Sequence, residues 1–478
     1  MPPISPCVSS DELDLLSKRN LVDVILRIQV ELEELKKENA KLKAELARRR
    51  KNSSTSSKPP SSDIVKPKKP KAKKGKRKIG GQPGHPRHER KSFTQDEIDK
   101  TLEYRLRECP RCRGALEDAD VEARVIQQVE VIDKPTITTE HRALGGWCPT
   151  CEAVHYPPLP DTVEQGGLFG PRLTTLVAYL KGHCHASYTT IQSFLRDVIG
   201  IEVSTGYLAK LIDKASAALE ASYTELLEAL PSEEVLNIDE TGHKNLGKRH
   251  WTWCFRALLF ALFKVDPRRS SDVLIEVLGT EFKGVIGADY FSAYRKYMKS
   301  FDVLVQFCVA HLIRDVKFLT TLPDKVTQNY GNRVLDKLRA LFKVIHRQEK
   351  MDPASFQRAL ERARDELIKT AKGAPPRREA QNMAERFRKN ADAYFRFITT
   401  PGVSVTNNLA EQAIRFVVID RRITQGTRGE KGQRWSERIW TTVATCAQQG
   451  RSLFDFLHEA VLASFTGEDA PSLLPESR

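Results

Sequence analysis

Between Leu21 and Leu46 the apolar residues recur at alternating steps of four and three. Leu21, Ile28, Leu35 and Leu42 take the d positions of a heptad, and Ile25, Leu32, Asn39 and Leu46 take the a positions. Glu31 and Glu38 then fall at g, each five residues before a lysine at e, Lys36 or Lys43. This pattern predicts a parallel two-stranded coiled coil in which one asparagine at an a position sets register and dimeric state. An amphipathic helix docked on its own chain is the plainer alternative.

A second helical pattern fills residues 168–227. Within it, "SYTTIQSFLRDVIGIEVSTGYLAKLIDKASAAL" holds two helical stretches separated by "GIEVS", with Ser204 placed to cap the second. As a helix-turn-helix it would present Thr205, Tyr207 and Lys210 to a DNA groove. Helical hairpins of this kind are far commoner than DNA readers, so the pattern alone leaves both open. From residue 233 the period changes. "EEVLNIDETG" predicts a strand ending in Asp239, and "RHWTWCFRALLFALFKVD" predicts two more. "SSDVLIEVLG" is helical, and "GVIGADYFSAY" is a fourth strand, ending in Asp289, with a short helix behind it. "DVLVQFCVAHLIRDVKFL" adds a strand and a helix. The order β-β-β-α-β-α-β-α predicts a mixed α/β sheet.

Other stretches lack any such period. "KNSSTSSKPPSSD" has linker composition, and "KPKKPKAKKGKRK" at 66–78 packs nine cations, Lys73, Lys74, Lys76, Arg77 and Lys78 among them, into thirteen residues. Such a run cannot build a core; a solvated arm is the usual reading, and it could also neutralise several phosphates. It agrees with the whole chain, where 77 Lys and Arg against 62 Asp and Glu leave a formal charge of +15 over 478 residues. A polyanionic partner is expected, nucleic acid first. The longest apolar run, "ALLFALF" at 257–263, is too short to span a bilayer, so a soluble, cytoplasmic, nucleoid-associated protein is expected. Four of the nine cysteines fall in "CPRC" and "CPTC", and Cys109, Cys112, Cys148 and Cys151 could supply the four thiolates of a structural zinc in a ribbon-like module. His183, Cys184 and His185 are also close in sequence, but adjacent helical residues face different ways, which favours incidental packing.

The chemistry turns on "TNNLAEQAIR" at 406–415. Asn408 followed three residues later by Glu411 resembles a capping box, and Arg415 lies one turn beyond the acid. Against that local reading, two strand-end carboxylates and a third from a late helix are what two Mg²⁺ or Mn²⁺ ions need for phosphoryl transfer. The bland reading of Asp239 and Asp289 is that strand-end acids form turns.

The motifs "NIDETG", "KRHWTWCF", "FKGVIGADYFSAY", "CVAHLIRD", "NNLAEQAIR" and "GRSLFDFL" resemble, in order, the insertion sequence 66 family of DDE transposases. The N-terminal heptads, "GGQPGH" and the paired C-x-x-C resemble it as well. The resemblance implies a multidomain α/β protein with an RNase H-like catalytic domain interrupted by a helical insertion, and Asp239, Asp289 and Glu411 as its metal-binding triad. The expected organisation is a coiled coil at 1–50, a disordered basic linker at 51–92, a zinc module at 93–160 and a helical DNA-binding region at 161–230. The catalytic core follows at 231–321 and 401–450 around an insertion at 322–400, with a C-terminal helix and tail at 451–478. His311 in "CVAH" could orient a phosphate or water, or simply pack at a strand end. Arg415, Arg421, Arg422 and Arg428 bracket the third acid with charge that could meet the DNA backbone or form a solvated face. Double-stranded DNA, a second copy of the chain and accessory proteins are the implied partners. A nuclease that cuts without joining, or an inactive DNA-binding descendant, would share most of these features.

Overall fold

The computed structural model describes residues 17–49, 92–107, 110–115, 123, 125–132 and 135–474. The basic run at 66–78 and Cys109 lie outside the described residues. Helix α1, Lys18–Arg49, carries the heptad seam and buries none of its residues. A small antiparallel hairpin, β1 (Gly146–Cys148) and β2 (Ala153–His155), holds the second C-x-x-C at its turn. Helices α2 (Asp161–Gly166), α3 (Pro171–Gly182), α4 (Tyr188–Phe194), α5 (Thr205–Ala218) and α6 (Glu220–Ala229) follow. Ser187 and Ser204 cap α4 and α5 by accepting the amides of Thr190 and Tyr207. Between them Gly200, at φ 80°, takes the left-handed conformation that ends the first helical segment.

The central sheet is built from β3 (Val235–Asn245), β4 (Lys248–Arg256), β5 (Ala261–Asp266), β6 (Val285–Ala288) and β7 (Leu304–Phe307). Helices α7 (Ser271–Leu278), α8 (Ser292–Phe301) and α9 (Val309–Leu319) alternate with the last strands, in the order read from the sequence. The spatial order is β5-β4-β3-β6-β7. The pairs β3/β4 and β4/β5 are antiparallel, whereas β3/β6 and β6/β7 are parallel. One expectation is corrected here: Asp239 lies inside β3 rather than at its end. The polar continuation "TGHKN" stays in the strand because β4 pairs with it as far as Asn245 and Lys248. Leu246 at φ 50° and Gly247 at φ 75° then make the tight two-residue turn that suits hairpin twist.

Four helices occupy the stretch after α9: α10 (Lys325–Ile345), α11 (Pro353–Lys372), α12 (Arg378–Asn390) and α13 (Arg396–Thr399). Three more close the chain, α14 (Asn408–Thr424), α15 (Glu430–Gln449) and α16 (Leu453–Thr466). An edge strand leaves backbone donors without a ladder partner, and α15 supplies them with side chains. Glu437, Thr441 and Thr445, one helical turn apart, accept the amides of Val265, Phe263 and Ala261, alternate residues of β5, at 2.6, 3.0 and 3.2 Å. Gln433 donates to the Val265 carbonyl at 2.9 Å. The loop before α15 is clipped to the β3–β4 hairpin: the Thr427 amide donates to the Lys244 carbonyl at 2.9 Å, and Leu246 donates back to Thr427 at 3.0 Å. Gly426 makes this possible, since at φ 101° a Cβ there would lie 2.3 Å from the Lys244 oxygen.

Candidate active site

Register brings the first two acids together. β3 and β6 pair Val235 with Val285, Leu236 with Ile286 and Asn237 with Gly287, a constant offset of 50. Asp239 and Asp289 carry the same offset, so they stand level just beyond the last rung and on the face of Asn237. Asp239 accepts the Glu240 amide at 2.9 Å, and Asp289 accepts the Phe291 amide at 2.8 Å, so Asp289 does form a turn as well. Burial holds the Asp239 carboxyl well above the usual range, reinforced by Glu240, Asp289 and Glu411. Asp289 is pushed up to about 7, by burial first and then by Glu240. These acids hold more negative potential than the fold neutralises.

Glu240 was not among the expected site residues, although it is the next residue of "DETG". Facing away from Asp239, it accepts from Arg269 Nη2 at 2.6 Å and from Tyr294 Oη at 2.5 Å. The Arg269 guanidinium lies 4.4 Å from the Trp251 ring centroid and 4.1 Å from that of Phe291. This clamp, with Glu240 and Tyr294 buried and Arg269 at the surface, braces the turn behind Asp289.

Glu411 does not form the expected capping box. The residue that caps α14 is Asn407, without a side-chain cap bond, and the Glu411 amide makes an ordinary helical bond to its carbonyl at 3.2 Å. Asn407 Nδ2 instead donates to the Ile238 carbonyl at 2.8 Å, fixing the helix start beside Asp239, while Asn408 is exposed. Nor does the acid turn to Arg415: its oxygens lie 3.6 Å from His311 Nδ1 and 3.7 Å from Arg314 Nη2. Arg314 Nη1 is also 3.1 Å from His311 Nε2. A guanidinium only donates, so Nε2 accepts and the ring proton sits on Nδ1, facing Glu411. Burial and Arg314 lower the His311 pKa, which keeps the ring neutral. The ligand atoms of Cys308, His311 and Glu411 lie within 4.8 Å of one another, a set that could hold a metal ion if Arg314 gave up its contact.

The expected nucleic-acid contacts are divided. Arg421 is half-buried and donates to Thr241 Oγ1 at 3.0 Å and to the Gly242 carbonyl, pinning α14 along β3. Arg415, Arg422, Arg428 and Lys210 are exposed. Tyr207 is tied inward, its hydroxyl accepting the Phe169 amide at 3.2 Å. His183 and His185 pack on Phe416, and His185 Nδ1 meets Asp420 at 3.0 Å, joining the helical region to α14. In the small hairpin the Cys151 amide lowers the Cys148 thiol pKa, and Cys151 Sγ is 3.0 Å from His155 Nε2. Cys112, Cys148 and Cys151 are not gathered into one ligand cluster among the described residues.

A model of the Transposase IS66 family matches residues 166–434. A second, the family of unknown function DUF6444, matches residues 8–91. The uncharacterized protein y4hP of Sinorhizobium fredii is 23% identical over 342 residues, which is 63% of this chain and 60% of that relative's length. With more than half of its residues inside the match, the chain belongs to the IS66 transposase family.

Proposed function

We propose that the protein is a DNA transposase that cleaves the ends of an insertion sequence and joins them to target DNA, acting through Asp239, Asp289 and Glu411. The observation that carries this reading is the level placement of Asp239 and Asp289 on neighbouring parallel strands, beside the helix that bears Glu411. Three antiparallel strands followed by two parallel ones, with acids inside the first and just past the fourth, support an RNase H-like core. The donor set fits hard divalent cations: buried carboxylate oxygens whose mutual repulsion is not neutralised within the fold. Two Mg²⁺ or Mn²⁺ ions held there would activate the attacking oxygen and offset charge on the leaving one.

The chain's own residues position the reactants. Asn407 and Arg421 lock α14 to β3, the Glu240–Arg269 clamp holds the Asp289 turn, and His311 with Arg314 aims the Glu411 carboxylate. Hydrolysis at each element end frees a 3′-hydroxyl, which then attacks the target phosphodiester in line. A dimer through residues 21–46 would hold two ends in one assembly, and the exposed apolar seam of α1 supports that reading. The C-x-x-C module and the α4–α5 hairpin would contribute end recognition, with Lys210, the exposed arginines and the basic arm on the phosphate backbone. Among the described residues no helix is long and apolar enough to cross a membrane.

The test is nicking and joining of supercoiled plasmid by the purified chain with Mg²⁺ or Mn²⁺, beside a folded, DNA-binding Glu411→Gln variant. Wild-type joining that the variant loses supports transposition; cleavage without joined product would make the protein a nuclease; equal cleavage by both would remove Glu411 from the site. His311→Ala is expected to slow cleavage about 10- to 100-fold, as loss of a group that orients a metal ligand does, and His311→Asn, which keeps an N–H near the Nδ1 position, to recover part of it. Equal rates for Ala and wild type would rule out the orienting role.

A further inference from the structure

A cleft of about 650 Å³ opens between α8, the edge strand β7 and the segment joining α12 to α13. Arg295, Lys299, Lys389 and Arg396 line it, against the two carboxylates of Asp302 and Asp392. Among the described residues, Arg295, Lys299 and Arg396 have no carboxylate within 4.0 Å, while Lys389 meets Glu385 at 3.3 Å and stays exposed. A cation without a carboxylate partner is complemented by an anionic oxygen.

The cleft has a direction. The Arg295 guanidinium lies 4.5 Å from the ring centroid of Tyr290, the residue after Asp289, and Asn390 donates to the hydroxyl of that ring at 3.0 Å. Arg295 and Lys299 are four residues apart on one helix, about 6 Å along its axis, a spacing on which an extended phosphodiester chain can place successive phosphates. Small anions would need one such group; several cations along one helix and a sheet edge suit a polymer of phosphates.

We infer that this cleft binds the sugar-phosphate backbone of one nucleic-acid strand, leading it past the Asp289 turn. The inference rests on the DNA-processing reading above. It is tested with the full chain and a fluorescein-labelled 20-nucleotide single strand, by anisotropy across a salt series. Lys299→Gln/Lys389→Gln removes two exposed cations of the cleft without touching the core, and Arg358→Gln/Arg362→Gln on α11 removes two elsewhere. The cleft variant is expected to bind about tenfold more weakly, with the slope of log affinity against log salt reduced by about 1.4, two phosphates at about 0.7 each; the control should match wild type. Adding Arg295→Gln should weaken binding further at an unchanged melting temperature. Equal loss in the cleft and control variants would overturn the inference, and so would a labelled mononucleotide binding as tightly as the strand. Plasmid cleavage is followed in parallel: a wild type that binds and cuts beside an unaffected cleft variant sinks the cleft alone, whereas a wild type that neither binds nor cuts sinks the transposase reading with it.

Discussion

With Asp239→Asn, plasmid cleavage is expected to fall at least about a thousand-fold, while the variant kept free of divalent ions melts at a higher temperature than wild type. Both effects have one cause. Asp239 is buried beside Glu240, Asp289 and Glu411, so its charge is unfavourable until a cation arrives. Asparagine keeps the acceptor for the Glu240 amide and removes the charge, a gain of the order of 2 kcal/mol in chelator. Without the third charge of the set, divalent ions are held weakly and the chemistry stops.

The pH dependence has a definite sign. Asp289 rises from 3.8 to about 7 on folding, so the folded chain binds that proton more tightly than the unfolded one. Its contribution to stability is present below the unfolded value and is lost as pH rises through about 7. In chelator the wild-type midpoint should therefore drop between about pH 4 and pH 7, and less so in the variant, which lacks the raised carboxyl of Asp239 itself. Calorimetry with and without Mg²⁺ reads all of this. An ion-free variant that melts below wild type, or that retains cleavage within tenfold, would count against the assignment.

Glu437→Ala is expected to destabilise the fold by about 3 kcal/mol, with no metal needed to see it. The Glu437 side chain is fully buried, accepts the Val265 amide at 2.6 Å and meets Arg434 Nη1 at 2.7 Å. Alanine leaves a buried amide unpaired, takes from Arg434 the nearer of its two carboxylates and opens part of the β5 edge. Gln keeps an acceptor for the amide and should restore most of the loss, whereas Thr441→Val, which strands only the Phe263 amide, should cost about 1–2 kcal/mol. Denaturant melts would show the order wild type, Gln, Val, Ala. An alanine variant within about 0.5 kcal/mol of wild type would mean that β5 does not depend on this ladder.

The alternation of strands and helices from 233 to 319 was legible in the sequence because strands buried on both faces leave short β-branched runs and helices leave a wider period. So was the 50-residue spacing of two acids, though only as a number until the parallel register of β3 and β6 made it a shared level. Family motifs singled out Glu411 as a candidate metal ligand, while local rules for the same ten residues pointed to a cap. Those rules are sound for an isolated helix, where the first free amides seek the nearest side chain. In the folded chain α14 begins where Asn407 can reach the Ile238 carbonyl, 169 residues away, and Glu411 turns to His311 and Arg314 on another helix. Arg421 read as a surface cation until β3 offered it Thr241 and Gly242. Periodicity records which face of an element meets apolar surroundings, and so the sequence by itself determined the elements and the residue types able to do the chemistry. Which polar groups meet depends on partners far away along the chain, and that was decided only when the sheet and its covering helices came together.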